Sequence, residues 1–307
     1  MAPASQPIKA YSIMIDLIQI LGAGLLIGCV YGLLGLGIVI IFKASEAFNF
    51  AIGEFLVIGS FLFYIFYFNL GLPFILALPL GLLASGATGA LIERLSIKPL
   101  LGRSGLSMTI ITLGLASVLR ASVQLIFGAH SYSFFIELPD LTLESGFLLF
   151  PSERIWAGLL SVIAFGFVLF FLFRTRWGVA IRATSESQPK SMAFGIDARF
   201  ILLLVWAVSS MCIAVAGIMI SNFGALSYLT GIAGLRAIPV VLIGGMDSIG
   251  GALIGGLIVG LCEALVGSYI EPLGLVGFKD VAPYLLLLIV LFIRPYGLFG
   301  TVRIERV

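Results

Sequence analysis

Residues Leu17–Ile41 read LIQILGAGLLIGCVYGLLGLGIVII, 25 positions without a charged side chain. About 20 apolar residues cross the hydrocarbon of a bilayer, so on length alone this run is a membrane-spanning helix. Met1 to Gln19 has no basic n-region and no A-x-A site, and the run exceeds a signal-peptide core, so it stays as a span. The rest of the 307 residues has the same texture. Apolar residues make up 61% and charged residues 10%, against roughly a quarter charged in soluble domains, and mean hydropathy is +1.20. A water-soluble globule needs a polar skin that this composition does not supply. An outer-membrane barrel would show short alternating segments, whereas these runs are long and continuous. The 37 glycines fall inside the apolar runs, where they mark close helix contacts and breaks rather than linkers. The chain therefore reads as an all-α integral membrane protein, residues 1–307 forming one transmembrane unit.

Nine apolar stretches are candidate spans: 17–41, 50–70, 72–92, 106–127, 155–173, 200–221, 232–246, 250–270 and 281–293. The seventh and ninth are short, which gives eight to nine crossings, and Arg236, Pro239 and Gly244-Gly245 make the seventh a broken or re-entrant helix. Lysine and arginine stay in cytoplasmic loops. Arg94, Lys98 and Arg103 share one loop, five basic residues lie between Arg174 and Arg199, and Arg294, Arg303 and Arg306 follow the last span. Lys43 falls on the same side, and the opposite side has Lys9, Arg154 and Lys279. This distribution puts the C-terminus in the cytoplasm and the N-terminus outside, with an acidic external loop at 128–154. A net charge of +2 gives no reason to expect nucleic acid. Cys29, Cys212 and Cys262 match no metal spacing and read as buried thiols.

Two polar stretches interrupt the apolar pattern. In the first, Lys43 to Glu54, Asn49 and Gly53 share a helix face while Glu54 is turned off it. A carboxylate at membrane depth must pair, cap or face water. Asn49 either caps the second span with Glu54 in its first turn, or this break lines a translocation path. The second stretch, Gly231 to Gly251, contains Arg236, Gly244, Gly245 and Asp247. Glycine- and proline-broken segments at matching places in two halves point to a transporter's central site and to an inverted pseudo-repeat. The Asn49–Glu54 turn and the Gly244-Gly245 break are expected to lie near each other, bordering the path. Arg236 has two roles open to it, meeting an anionic substrate group or pairing structurally with Asp247 or a lipid headgroup. For Arg120 interhelical hydrogen bonding is expected, and Glu263 is a further intramembrane acid. Gly24, Gly28 and Gly32, with Gly251, Gly255, Gly256 and Gly260, are spaced for close helix packing.

The loop between Arg174 and Arg199 mixes charge with apolar Ala183, Met192, Ala193, Phe194 and Ile196, as a short helix lying beneath the membrane and facing a soluble partner would. No G-x-x-x-x-G-K-[ST] occurs, so P-loop ATP hydrolysis is excluded. One histidine, His130, leaves no histidine-based metal cluster or catalytic triad. No enzyme activity and no bound cofactor are expected.

Taken in order, several segments resemble the LivH-type permeases of bacterial branched-chain amino acid ABC transporters. They are Asn49-Phe-Ala-Ile-Gly53-Glu54-Phe, Glu93-Arg94 with Lys98-Pro99-Leu100, Thr112-Leu-Gly114-Leu, Gly178-Val-Ala-Ile-Arg182-Ala, Phe194-Gly195-Ile196, Leu242-Ile-Gly244-Gly245 with Gly250-Gly251-Ala252, and Arg294-Pro295-Tyr-Gly297-Leu-Phe-Gly300. The resemblance runs from about residue 20 to 300. It implies an inner-membrane permease paired with a LivM-like permease, two LivG/LivF-like ATPase subunits carrying the ATP and Mg, and a periplasmic substrate-binding protein. It also implies that residues 178–197 dock the ATPase, through Gly178, Arg182, Glu186, Met192, Phe194, Gly195 and Ile196. Ile52 stands where the best-known members have histidine, and Lys43-Ala-Ser replaces a tyrosine–glycine turn. The resemblance is thus to a branch whose substrates extend from hydrophobic amino acids to urea, amides and small organic acids. A stand-alone carrier using Glu54 or Glu263 as a proton or sodium site is the alternative, which a cytoplasmic docking surface would disfavour.

Overall fold

The computed structural model describes residues 6–100, 105–145, 148–186 and 188–301. Helices dominate them: α1 (Gln6–Ser45), α2 (Ile52–Tyr64), α3 (Phe74–Ile92), α4 (Gly105–Phe127), α5 (Ser152–Arg174), α6 (Arg176–Glu186), α7 (Gln188–Ala193), α8 (Ala198–Ser221), α9 (Ala237–Gly244), α10 (Ile249–Tyr269) and α11 (Phe278–Ile293). Wide turns prolong α2 through Ile65–Asn69 and α3 through Glu93–Ile97. Among the described residues, seven helices are long and apolar enough to cross a membrane. The segment Tyr228–Gly244 is shorter. Its first half, Tyr228–Arg236, is a 3-10 helix running directly into α9. Nine residues at about 2.0 Å and eight at about 1.5 Å give a length on the order of 30 Å, so the tighter winding compensates for the missing residues.

Helices α1 and α8 form the centre, packed on each other and on α5, with α9 and α10 against α1 and with α2 and α3 against α8. Both carry long buried apolar sequences, with Val30, Leu33, Leu34, Leu36, Val205, Trp206, Ala214 and Ile218 wholly enclosed. The four-residue glycine spacing explains the closest packing. Gly24 faces Gly260 and Gly28 faces Gly256, with α1 and α10 antiparallel, and a Cβ on Gly260 would lie 2.6 Å from Gly28 Cα. Any side chain there would push the backbones apart, and in lipid that lost van der Waals contact has no hydrophobic compensation. A second set, Gly86 and Gly89 of α3 against Met211 and Ser210, seats α3 on α8.

Helix α4 is the outlier. Met108, Thr112 and Val123 are buried, whereas Leu106, Ile110, Leu113, Val118, Leu125 and Ile126 are exposed. At the far end of α5 from α6, residues 128–145 and 148–151 fold back over the bundle. There β1 (Tyr132–Ser133) pairs antiparallel with β4 (Ala225–Leu226), and β2 (Leu143–Ser145) pairs with β3 (Leu148–Phe150). Asn222 Oδ1 accepts the Ile136 amide at 2.9 Å. In the same loop the Thr142 hydroxyl and amide both donate to Asp140, holding that carboxyl below its ordinary range.

Candidate functional site

Between α1 and α2 the chain is non-helical from Glu46 to Ala51, and Glu46 adopts a left-handed φ of 55°. Ala47, Asn49 and Ala51 are buried, and unwound backbone enclosed in a bundle must find new partners for its amides. Helix α4 supplies them: Phe48 N–H donates to Thr109 Oγ1 at 3.2 Å and Phe50 N–H to Thr112 Oγ1 at 3.1 Å. Asn49 does not cap α2. Its Oδ1 accepts the Ala51 amide at 3.0 Å, closing a local turn, and the cap position is Ala51, which offers no side-chain acceptor. The buried Asn49 Nδ2 meets no acceptor among the described residues. Glu54 occupies the first turn of α2, as expected, and accepts from Arg120 Nε at 3.0 Å and Nη2 at 2.5 Å. Its side chain is 5% exposed and that of Arg120 is 52% exposed. Arg120 thus makes an interhelical bond to an acid that is otherwise sealed in the bundle.

Gly53 leaves room for the second polar stretch. A Cβ there would collide with the Gly231 carbonyl, and a Cβ on Gly234 would lie 2.6 Å from Gly53 Cα. The two stretches do meet, but through Gly231 and Gly234. Gly244 and Gly245 pack elsewhere, Gly244 on Gly251 and Gly245 (φ 107°) on Gly300. Ile243 and Gly244 carbonyls accept the Leu298 and Phe299 amides, so this break anchors the segment after α11.

Arg236, last residue of the 3-10 segment, is the centre of a second ionic group. Its expected partner Asp247 is engaged elsewhere, taking Thr301 on its carboxylate and Lys43 Nζ on its backbone oxygen at 3.3 Å. Arg236 Nη1 instead lies 3.0 Å from Glu263 and 2.8 Å from the Tyr31 hydroxyl, and Nη2 pairs with Asp280. Tyr31 donates to Glu263 Oε2 at 2.7 Å. The group joins α1, α10 and α11 to the 3-10 segment. Tyr31, Arg236 and Glu263 form the floor of a cavity of about 1430 Å³ that is also lined by Ser133, Phe134, Pro151, Glu153 and Arg154. Glu263 stood out in the sequence as an acid inside an apolar run. Tyr31 did not, because an aromatic between Gly28 and Gly32 reads as core, and Asp280 beside Lys279 reads as a loop pair.

At the other end of α5, the 174–199 region forms two helices, α6 and α7, rather than the one short helix expected. Thr175 Oγ1 accepts the Gly178 amide at 3.1 Å and starts α6, while Gly178 lies directly on the Phe171 and Leu172 carbonyls. Gly195, at φ 80°, ends α7. Phe194 is 86% exposed, and Met192, Trp177 and Val179 are also exposed. A groove of about 700 Å³ runs past Arg176, Trp177, Gly195, Ile196 and Phe200. Arg182 stacks on Phe173 at 4.8 Å from the ring centre, Glu186 is solvent-exposed, and Ile196 is half-buried.

A bundle of membrane-length helices, a charged cavity at one end and an apolar two-helix surface at the other define a polytopic transport permease. The chain belongs to the branched-chain amino acid transport system permease component family, whose model matches residues 20–293. It is 28% identical to the high-affinity branched-chain amino acid transport permease LivH of Escherichia coli K12, over 92% of this chain and 96% of that protein. It is likewise 28% identical to BraD of Pseudomonas aeruginosa, over 94% and 98%. Among solved structures, PsaBC from Streptococcus pneumoniae in complex with Fab aligns over 91% of both chains at 16% identity and a TM-score of 0.45. The chain is a transport component rather than an enzyme.

Proposed function

We propose that this chain forms half of the translocation path of an ABC importer in a bacterial inner membrane, paired with a LivM-like permease. Two ATPase subunits drive the pair, one of them docking on α6–α7, and a binding protein delivers substrate to the cavity end. The cargo is a branched-chain or other hydrophobic amino acid or a related small polar metabolite. The Asn49–Glu54 break with Arg236, and more remotely Gly244-Gly245, borders the path. One observation carries this reading: Trp177, Val179, Met192 and Phe194 are each exposed apolar side chains within the short segment that follows α5, whose course is fixed by the Gly178 and Gly195 backbone. Such a patch is expected to be covered by protein. The ion-coupled carrier is disfavoured because it has no ATPase for the exposed apolar residues of α6 and α7 to engage.

The test is substrate-stimulated ATPase activity of the reconstituted assembly. Gly195→Leu or Glu186→Lys should leave substrate delivery intact while abolishing stimulation above the basal rate. Full stimulation in both variants makes residues 183–196 a passive segment. Gradient-driven uptake by vesicles holding this chain alone would establish the carrier instead.

A further inference from the structure

The floor of the large cavity has an ionic composition that a structural tether does not require. Two carboxylates, Glu263 and Asp280, converge on one guanidinium, with the Tyr31 hydroxyl wedged between Arg236 and Glu263. Around the whole cavity, four carboxylates face three basic side chains. A lining with excess negative charge repels an anion, and the guanidinium at its floor repels a cation. A molecule carrying both charges meets neither objection. If the Arg236–Glu263 pair parts around a zwitterion, one ion pair becomes two: the incoming carboxylate takes Nη1 of Arg236 and the incoming ammonium takes Glu263. No charge is left unpaired at depth, which is the condition for opening a buried pair without prohibitive cost. Asp280, bound through the other nitrogen, keeps the guanidinium in position throughout.

We propose that Tyr31, Arg236 and Glu263 form a binding site for the paired carboxylate and ammonium of a zwitterionic amino acid, reached from the end of the bundle that carries the 128–151 loop. The site rests on the importer reading above and narrows its cargo to molecules bearing both groups. At about 1430 Å³ the cavity exceeds the roughly 300–1,000 Å³ typical of small-ligand pockets. It is therefore a vestibule, with recognition concentrated at its floor and apolar Ile20, Ala23, Ile27 and Ala264 available for a side chain.

The test is equilibrium binding of radiolabelled leucine, valine, alanine and glutamine to the purified permease–ATPase assembly without its binding protein. The competitors are 4-methylpentanoate, which lacks the ammonium, and 3-methylbutylamine, which lacks the carboxylate. At least one amino acid should bind, and each single-charge analogue should compete roughly tenfold or more weakly, as expected when a charged hydrogen bond is lost. Glu263→Gln should weaken amino acid binding while leaving that of 4-methylpentanoate less affected, and Arg236→Lys should do the converse for 3-methylbutylamine. A tether with no ligand would change the yield of assembly without changing this selectivity. If both variants fail to assemble, Tyr31→Phe, which keeps the ring and removes one hydroxyl, should still weaken binding several-fold. Absence of binding, equal competition by 4-methylpentanoate, or unaltered affinity in Tyr31→Phe each overturns the site. ATP-driven uptake by the complete assembly is measured separately. Uptake without this binding pattern refutes the site alone, and absence of uptake for every compound refutes the importer reading with it.

Discussion

Two arginines, each bound to acids inside the apolar bundle, do different physical work. Arg120 lies on α4, the helix with least of itself buried, and holds one acid of α2 that is sealed from solvent. Arg236 lies where a 3-10 helix turns into α9, holds acids of α10 and α11, and bonds a hydroxyl of α1. The first pair is a bolt between two neighbours. The second is a junction of four elements at the floor of a cavity. Similar chemistry therefore carries different leverage, set by how many elements depend on it and by which partner is enclosed.

The contrast predicts that Arg236→Met is the most damaging of the ionic substitutions. It strands Glu263, whose side chain is 12% exposed, beside a second carboxylate. Stranding a buried charge costs about 3–5 kcal/mol. In a protein of 307 residues each kcal/mol lowers the thermal midpoint by about 1.5 °C, so a fall of roughly 5–8 °C is expected in detergent, read by loss of monodisperse protein. Arg236→Met with Glu263→Gln should recover part of that loss, because the stranded charge is removed as well. A double variant no better than the single one would break the comparison, since the junction would then act through packing alone.

The second prediction is an asymmetry within the bolt. Arg120→Met leaves Glu54 charged and enclosed, whereas Glu54→Gln leaves a half-exposed arginine on a long stem that can reach a polar environment. Arg120→Met should therefore cost several kcal/mol and Glu54→Gln about 1 kcal/mol, measured as the two midpoint shifts side by side. Equal shifts would mean that exposure is not what separates the two partners.

These two centres were unequally legible in the sequence. Arg120, Arg236, Glu54 and Glu263 announce themselves as charges within apolar runs, and the pairing of Arg120 with another helix follows from the cost of leaving it alone. Their partners do not, because Tyr31 and Arg236 are 205 positions apart and Tyr31 and Glu263 are 232 apart. Nothing local in Leu17–Ile41 marks a phenol as polar machinery. The glycine faces of α1 and α10 were readable because a four-residue spacing fixes which side of a helix each glycine occupies, though not which helix it meets. Asp247 was the nearest acid to Arg236 in sequence, but α9 runs between them and carries Asp247 to the segment after α11. The 3-10 winding of Tyr228–Arg236 left no compositional trace beyond the shortness of the span.

The smallest effect concerns the hydroxyls that serve the α1–α2 break. Thr112 is fully buried, accepts from Phe50 N–H at 3.1 Å and donates its one proton to the Thr109 carbonyl at 2.7 Å, with the Phe48 carbonyl also in reach at 3.2 Å. Valine has nearly the same shape, so Thr112→Val removes the polar function without opening a cavity. What remains is an amide in apolar surroundings with no acceptor, worth about 1–3 kcal/mol, a midpoint fall of a few degrees. Thr112→Ser keeps the hydroxyl but loses a methyl, so it should preserve the hydrogen bonds at about the cost of one buried methyl, near 1 kcal/mol. Hydrogen exchange at Phe50 separates the two: faster in Thr112→Val, close to wild type in Thr112→Ser. If exchange at Phe50 is unchanged in Thr112→Val, Thr112 does not support the break, and the polar hold of α4 on it reduces to Thr109 on the Phe48 amide and the Arg120–Glu54 bolt. The same break would then have to be satisfied by water, as a segment bordering an aqueous path would be, which would leave the ionic contrast standing and move the wet part of the molecule to Asn49.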